Sequence, residues 1–246
     1  MARPGLLAER LGVIEQHEAA LPDKDAVHQM RVAARRLRVA LRVLRLRDLE
    51  PPVKRLQDAL GEVRDLQLQV EWLRGRDARL RRSREAKLRK AEQALAGELR
   101  RWRAEGIPAV LGAADATAAS ARRLNKMLRK RLARLEERLE NARRKLSPTA
   151  LHRARISVKQ VRYLLDAARK SLPKKARSLG SDLKTLQATL GELHDVDIRI
   201  ELVKRKPALL RDQRETRNRL GRIVDAQLAR WHQQDLASRA SSALKT

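Results

Sequence analysis

Two segments of the sequence occur twice, and this repetition constrains the fold more than any other feature. The first runs from Val27 to Arg38 and recurs from Leu151 to Arg162, displaced by 124 positions. The second runs from Leu56 to Asp65 and recurs from Leu186 to Asp195, displaced by 130 positions. Because the two segments recur in the same order, the sequence predicts a duplicated structural unit.

Both halves are predicted to be helical. Ala, Leu, Arg, Lys, Glu and Gln dominate the sequence, and no sustained run of alternating β-branched residues interrupts them. The eight prolines fall between segments of helical period and divide the chain into seven or eight helices. We therefore expect an all-α fold within a single domain, 1–246. Its halves, about 5–105 and 107–240, would be antiparallel helical bundles related by a pseudo-twofold axis, with a basic central groove.

The first repeated segment carries a continuous face of positive charge. Its cations recur every three or four residues, which places them on one side of a helix. They are His28, Arg31, Arg35, Arg38 and Arg42. Between positions 26 and 47 there are seven arginines and no carboxylate, although like charges on one helix face repel each other. The face from His28 to Arg42 spans about 21 Å at the helical rise, which suits an extended polyanion.

The second copy keeps this register and adds further candidates. Its basic face comprises His152, Arg155, Lys159 and Arg162. Each motif histidine falls near the predicted start of its helix, where free N–H groups favour anions. A long helix, about 118–146, is predicted before the second motif, and its apolar residues recur every three or four positions as in the seam of a helical bundle: Leu128, Leu132, Leu135, Leu139, Ala142 and Leu146. This helix contributes a second set of cations whose orientation the sequence does not fix. This set is Arg123, Lys126, Lys130 and Arg134.

The repeated Leu-Gly-Glu-x-x-Asp block interrupts good helix with a glycine in each half. A glycine inside a helix costs roughly 1 kcal/mol relative to alanine, so Gly61 and Gly191 indicate a close approach between helices. Asp65 and Asp195 are interpreted as ion-pair partners of the motif arginines. A divalent cation is not expected, because oxygen-rich metal sites draw on more carboxylates than this block offers.

Composition narrows the function. The net charge of +28 implies a polyanionic partner. Aromatic residues make up only 2%, which disfavours a protein that binds single strands by base stacking. The chain has no cysteine, phosphate-cradling glycine loop, Ser-His-Asp order or His-Glu-x-x-His motif. We therefore predict no catalytic residue, metal or cofactor.

The sequence also indicates a location. Glu9 occurs before any hydrophobic segment of signal-peptide length could form. The longest charge-free apolar stretches lie around 107–114, well short of the roughly 20 residues that a membrane helix needs. We expect a cytoplasmic protein with no membrane partner.

The two histidine motifs and the Leu-Gly-Glu-x-x-Asp block resemble the CHAD family, named for a histidine-bearing α-helical domain. The likeness covers nearly the whole chain. It implies two pseudo-symmetric helical bundles, a basic central groove and binding of inorganic polyphosphate, with localisation to polyphosphate granules. The family's basic surface corresponds to His28, Arg31, Arg35, Arg36, Arg38, His152, Arg155, Lys159 and Arg162. Gln160 departs from the pattern, which has a basic residue there.

Three classes of function follow from these features. The first is a non-enzymatic polyphosphate-binding module. The second is a nucleic-acid-binding or nucleoid-associated protein, which would apply the same charges to a sugar-phosphate backbone. The third is an enzyme acting on phosphoanhydrides with His28 or His152 as an acid or phospho-acceptor, and the missing catalytic constellation argues against it. Polymer length preference and oligomeric state are not determined by the sequence.

Overall fold

The structure is a computed structural model that describes residues 6–114, 121–168 and 174–233, and all regular secondary structure in these ranges is helical. The predicted all-α fold class is confirmed. The α-helices are α1 (Leu6–Glu18), α2 (Lys24–Leu44), α3 (Glu50–Leu73), α4 (Ala78–Ala104), α5 (Ile107–Ala113), α6 (Ala121–Lys145), α7 (Pro148–Ala168), α8 (Lys174–Leu202) and α9 (Pro207–Gln233). A short 3-10 helix, Arg47–Leu49, joins α2 to α3.

The chain divides into two compact units, Met1–Ala119 and Ser120–Thr246. In the first, α1 packs on α2, α2 on α3 and α3 on α4, while α5 packs against α1 and α4. The first unit extends beyond residue 105 because Ile107 and Leu111 of α5 are part of its core. In the second, α6 to α9 also pack in chain order, and α6 contacts α9. The duplication and the central groove stay predictions.

Helix α2 follows directly from its sequence. Asp23 caps its start by accepting hydrogen bonds from the N–H groups of Asp25 and Ala26, at 2.8 and 3.1 Å. Arg45 ends the helix in the left-handed region, with φ 66°. One face of α2 is fully buried at Met30, Ala34, Leu37 and Leu41. This face packs on α1 and α3, so the motif cations project from a different side of the helix.

The core of the second unit is also built from apolar residues at helical spacing. Leu128, Leu132, Leu135 and Leu139 of α6 are buried in the predicted seam, and α7 packs against this helix. The expectation that Leu146 continues the seam is wrong. Helix α6 ends at Lys145, and Leu146 has φ 45° and is 37% exposed.

Within the described ranges, none of the helices combines the length and the hydropathy that crossing a bilayer would require.

Candidate functional site

The cations of the first motif lie on α2 beside α3. His28, Arg31, Arg35, Arg36 and Arg38 are all half-buried. In such positions the aliphatic part of an arginine packs against protein while its guanidinium group stays near solvent. The first motif therefore presents a row of cations along α2, in which Arg38 reaches α3 through Gln57.

The C-terminal end of this row is held by Glu50, the first residue of α3. Arg38 donates to Glu50 from Nη2 at 2.8 Å and to Gln57 from Nη1 at 3.2 Å. Arg42 donates to Glu50 from Nε at 2.9 and 3.0 Å, and its Nη2 also contacts this carboxylate. The hydrogen bond from Arg42, with help from Arg38 and against the effect of burial, lowers the pKa of Glu50 from 4.5 to about 2. Glu50 is therefore ionised at neutral pH and offsets part of the positive charge at this end.

Glu50 takes the role that the sequence analysis gave to Asp65. The Asp65 side chain is exposed, whereas Glu50 contacts two motif arginines directly. The ionic partner of the basic helix in the first unit thus comes from the start of α3.

The N-terminal end of the row is formed by His28 and a residue that the sequence analysis missed. Arg64 of α3 lies beside this end of α2, where its Nη1 donates to the carbonyl oxygen of Lys24 at 3.3 Å. Burial lowers the pKa of His28 below 6.5, and the positive charges of Arg64 and Arg31 lower it further. Among the described residues, no hydrogen-bond partner is found for the buried Nδ1 of His28. His28 is therefore mostly neutral at pH 7 and lies among guanidinium groups.

In the second unit, two histidine rings meet at the corresponding place. The centroids of His152 on α7 and His194 on α8 are 5.0 Å apart, with the ring planes inclined by 46°. The ring of His152 is only partly covered by protein, and this partial burial, followed by the charges of Arg155 and Lys159, lowers its pKa. Burial is also the main cause that lowers the pKa of His194 from 6.5 to about 4, and Arg155 is the next. Both histidines are therefore mostly neutral at pH 7.

Arg64 and His194 occupy the same position of the repeated block. They are 130 positions apart, and each directly precedes the repeated aspartate. His194 contacts the ring of His152, and Arg64 lies near enough to His28 for its charge to lower the pKa of that histidine. The signal that could have identified these residues is that a basic or titratable side chain occurs there in both copies.

The glycines of the same block are not explained by close helix packing. A Cβ atom added to Gly61 or to Gly191 would meet no atom within 4 Å. The predicted close approach is therefore wrong. Each glycine lies three residues before Arg64 or His194, so it shares that residue's helix face. We call His28, Arg64 and the other cations of the first motif the α2–α3 cluster, and His152, His194 and the other cations of the second motif the α7–α8 cluster. The surface beside each cluster is open at Gly61 and at Gly191.

The candidates on α6 are placed differently from the motif cations. Lys126, Lys130 and Arg134 are exposed, and the side chain of Arg123 lies outside the described residues. Arg131 instead reaches α7 and donates from Nη1 to Gln160 Oε1 at 2.7 Å. It thus brings a guanidinium group to the position where the second motif has no charge of its own.

The remaining motif residues lie on the same helix of the second unit. Arg155, Lys159 and Arg162 are half-buried on α7, and His152 is exposed at its first turn. On α8, Asp197 accepts a hydrogen bond from Nε of Arg217, a residue of α9, at 2.7 Å.

Within the described parts of the chain, histidine, aspartate and glutamate side chains form no group of three or more suited to a metal ion.

Comparisons with known proteins agree with this fold. The family model of the CHAD domain matches residues 5–204. A crystal structure of the CHAD domain from the plant Ricinus communis is similar, with a TM-score of 0.67 and 22% sequence identity. The alignment covers 98% of this chain and 89% of the plant chain. No curated protein matches the sequence.

Proposed function

The chain belongs to the CHAD domain family, and from this premise we propose that it is a non-catalytic module that binds inorganic polyphosphate. Polyphosphate would bind at the cluster on α2–α3 of the first unit and at the cluster on α7–α8 of the second. We further propose that the protein acts in the cytoplasm, at polyphosphate granules. Two things support these proposals: the polyphosphate binding that the resemblance to this family implies, and the chemistry of the two clusters.

The observation that carries the proposal is the same arrangement in both units. In the first unit, Arg64 of α3 lies beside the start of α2, the helix that carries His28, and in the second unit His194 of α8 contacts His152 of α7. Further motif cations lie on α2 and on α7. Guanidinium groups bind phosphate oxygens through strong, charge-assisted hydrogen bonds. Two such clusters on one chain are unnecessary for the stability of a helical bundle, because like charges repel each other.

The length of the basic surface favours a polymer over a single phosphate. The row from His28 to Arg42 covers about 21 Å of helix, several times the size of one phosphate group. Its cations recur at each turn of the helix, so a linear polyanion would meet a positive charge repeatedly. A polyphosphate chain carries closely spaced charges and has no bases that need aromatic contacts.

A double substitution tests the site. Arg31→Ala with Arg35→Ala removes two guanidinium groups from the middle of the row and leaves the contacts of Arg38 with Glu50 intact. Each charge-assisted hydrogen bond contributes roughly 1.5–3 kcal/mol, so affinity for a short polyphosphate should fall about a hundredfold or more. A short chain is used because a long polymer can slide to other cations.

The matched control is Arg79→Ala with Arg82→Ala, which removes the same charge from exposed positions on α4. We expect this variant to retain most of the affinity. Equal losses in the two variants would mean that bulk charge binds the polymer and that the α2–α3 cluster is not the site.

Competition distinguishes polyphosphate from nucleic acid. Labelled polyphosphate is titrated with duplex DNA at equal phosphate concentration and physiological salt. We expect DNA to compete poorly. If DNA displaces polyphosphate as well as unlabelled polyphosphate does, nucleic acid becomes the better assignment of the ligand.

A further inference from the structure

The two clusters differ in one residue whose identity changes whether the side chain titrates near neutral pH. At the same position of the repeated block, the first unit has Arg64 and the second has His194. An arginine remains protonated at every pH at which the protein is folded, whereas a histidine gains or loses a proton near neutral pH. The contact between His152 and His194 places two titratable rings at the second cluster.

We propose that position 64 or 194 completes the polyanion site of its unit, and that His194 makes binding by the second unit depend on proton uptake. This inference rests on the proposed polyphosphate-binding function. In it, the bound phosphate chain lies against the His152–His194 pair, and a proton is taken up from solvent as the chain binds. The first unit, in which Arg64 replaces the second histidine, depends less on pH.

The surroundings of the pair explain why it is neutral without a ligand. Burial is the main cause that lowers the pKa of each ring, and the positive charges of Arg155 and Lys159 on α7 lower it further. On α8, Asp197 is the acidic residue that opposes this effect at His194. Asp197 is also held by Arg217 of α9, which offsets its negative charge. On α6, Arg131 adds a guanidinium group that contacts Gln160 of α7.

A bound phosphate chain would act against the effect of these positive charges on the pKa of each ring. Its negative charges would offset Arg155 and Lys159 and would favour the imidazolium form of the adjacent histidine. The protonated ring could then donate hydrogen bonds to phosphate oxygens from both nitrogens. Between the pKa of free His194, about 4, and the higher pKa in the complex, binding takes up a proton, so affinity rises as the pH falls.

The first cluster provides the internal contrast. The guanidinium group of Arg64 lies near His28 at the place where His152 has a second histidine. Only one ring can take up a proton there. The structure therefore predicts that exchanging the residues at positions 64 and 194 exchanges the pH response of the two units.

The test uses calorimetric titration of the full chain with short polyphosphate in two phosphate-free buffers of different ionisation enthalpy. The difference in heat gives the number of protons taken up at each pH. For each proton taken up, affinity should rise about tenfold per pH unit of acidification. All variants receive the same ligand, so titration of polyphosphate itself cancels in the comparison.

His194→Arg should lower the proton uptake and flatten the dependence of affinity on pH, whereas Arg64→His should increase both. The matched control is His232→Arg, which adds the same charge at the exposed end of α9 and should leave the pH dependence unchanged. His194→Gln has a smaller, uncharged side chain. It should retain binding but lose the part of the proton uptake that His194 contributes, and it replaces His194→Arg if the larger residue disturbs the packing of α7 on α8.

The inference is overturned if wild type, His194→Arg and His194→Gln bind polyphosphate with the same proton uptake and the same pH dependence. Failure of the proposed function has a different signature. In that case, wild type shows no measurable binding of polyphosphate at any pH, including the acidic range where the pair is charged.

Discussion

Glu50→Gln isolates the contribution of a carboxylate that contacts two motif arginines, Arg38 and Arg42. Glutamine keeps the shape of the side chain and removes its charge, so Arg38 and Arg42 lose their ionic partner. The fall of the Glu50 pKa from 4.5 to about 2 corresponds to about 3 kcal/mol, at about 1.36 kcal/mol per pKa unit. The Glu50 side chain is 20% exposed, so solvent screens part of this energy. We expect the substitution to lower the free energy of unfolding by about 2 kcal/mol at pH 7.

The dependence of this effect on pH has a defined sign. The pKa of Glu50 is lowered in the folded chain, so its stabilising effect is fully present above pH 4.5 and is lost as the pH falls towards 2. Urea denaturation of wild type and Glu50→Gln, monitored by circular dichroism, should therefore differ at pH 7 and converge at about pH 2. Hydrogen exchange of the α2 and α3 amides assigns the change to the first unit.

Glu62→Gln is the matched control, because it removes the same charge from an exposed position on the same helix. It should change the free energy of unfolding by less than about 0.5 kcal/mol. Our reasoning is refuted if the two variants are equally stable, or if the effect of Glu50→Gln persists unchanged in acid. Glu50→Gln should also increase the affinity for polyphosphate, because the charges of Arg38 and Arg42 are no longer offset by the Glu50 carboxylate.

Two further predictions concern binding and stability. Polyphosphate affinity should fall roughly a thousandfold between about 50 and 200 mM salt if at least six phosphates are neutralised, because binding to a linear polyanion releases its counterions. Titrations across this range measure how steeply the affinity depends on salt, and a shallow slope would indicate few ionic contacts. Gly61→Ala and Gly191→Ala should each stabilise the fold by about 0.5–1 kcal/mol, because alanine favours helix and the added Cβ meets open space. Denaturant unfolding measures this gain, and a loss of stability would show that the space beside these glycines is occupied.

The helices could be predicted from the sequence because their signals are local. Prolines mark helix boundaries, and apolar residues recur at helical spacing over each segment. Met30, Leu37 and Leu41 are buried as their spacing predicts. The end of α6 was predicted less well. Spacing alone extended the seam to Leu146, but the backbone turns into the left-handed region there.

The repeated motifs were also recognisable in the sequence, because both copies keep the same order and the same register. His28 and His152 were identified in this way, together with the cations that follow them at helical spacing. The family match over residues 5–204 agrees with this recognition.

The partners of these side chains were decided by tertiary structure. Glu50 is only eight residues from Arg42, yet the contact depends on how the chain reverses between α2 and α3. Arg64 and His194 reach the motif histidines because α3 packs on α2 and α8 on α7. Helical periodicity specifies which residues share a face of one helix. It does not specify how that helix is rotated against its neighbour, because the rotation depends on the packing of side chains from segments far apart in the sequence.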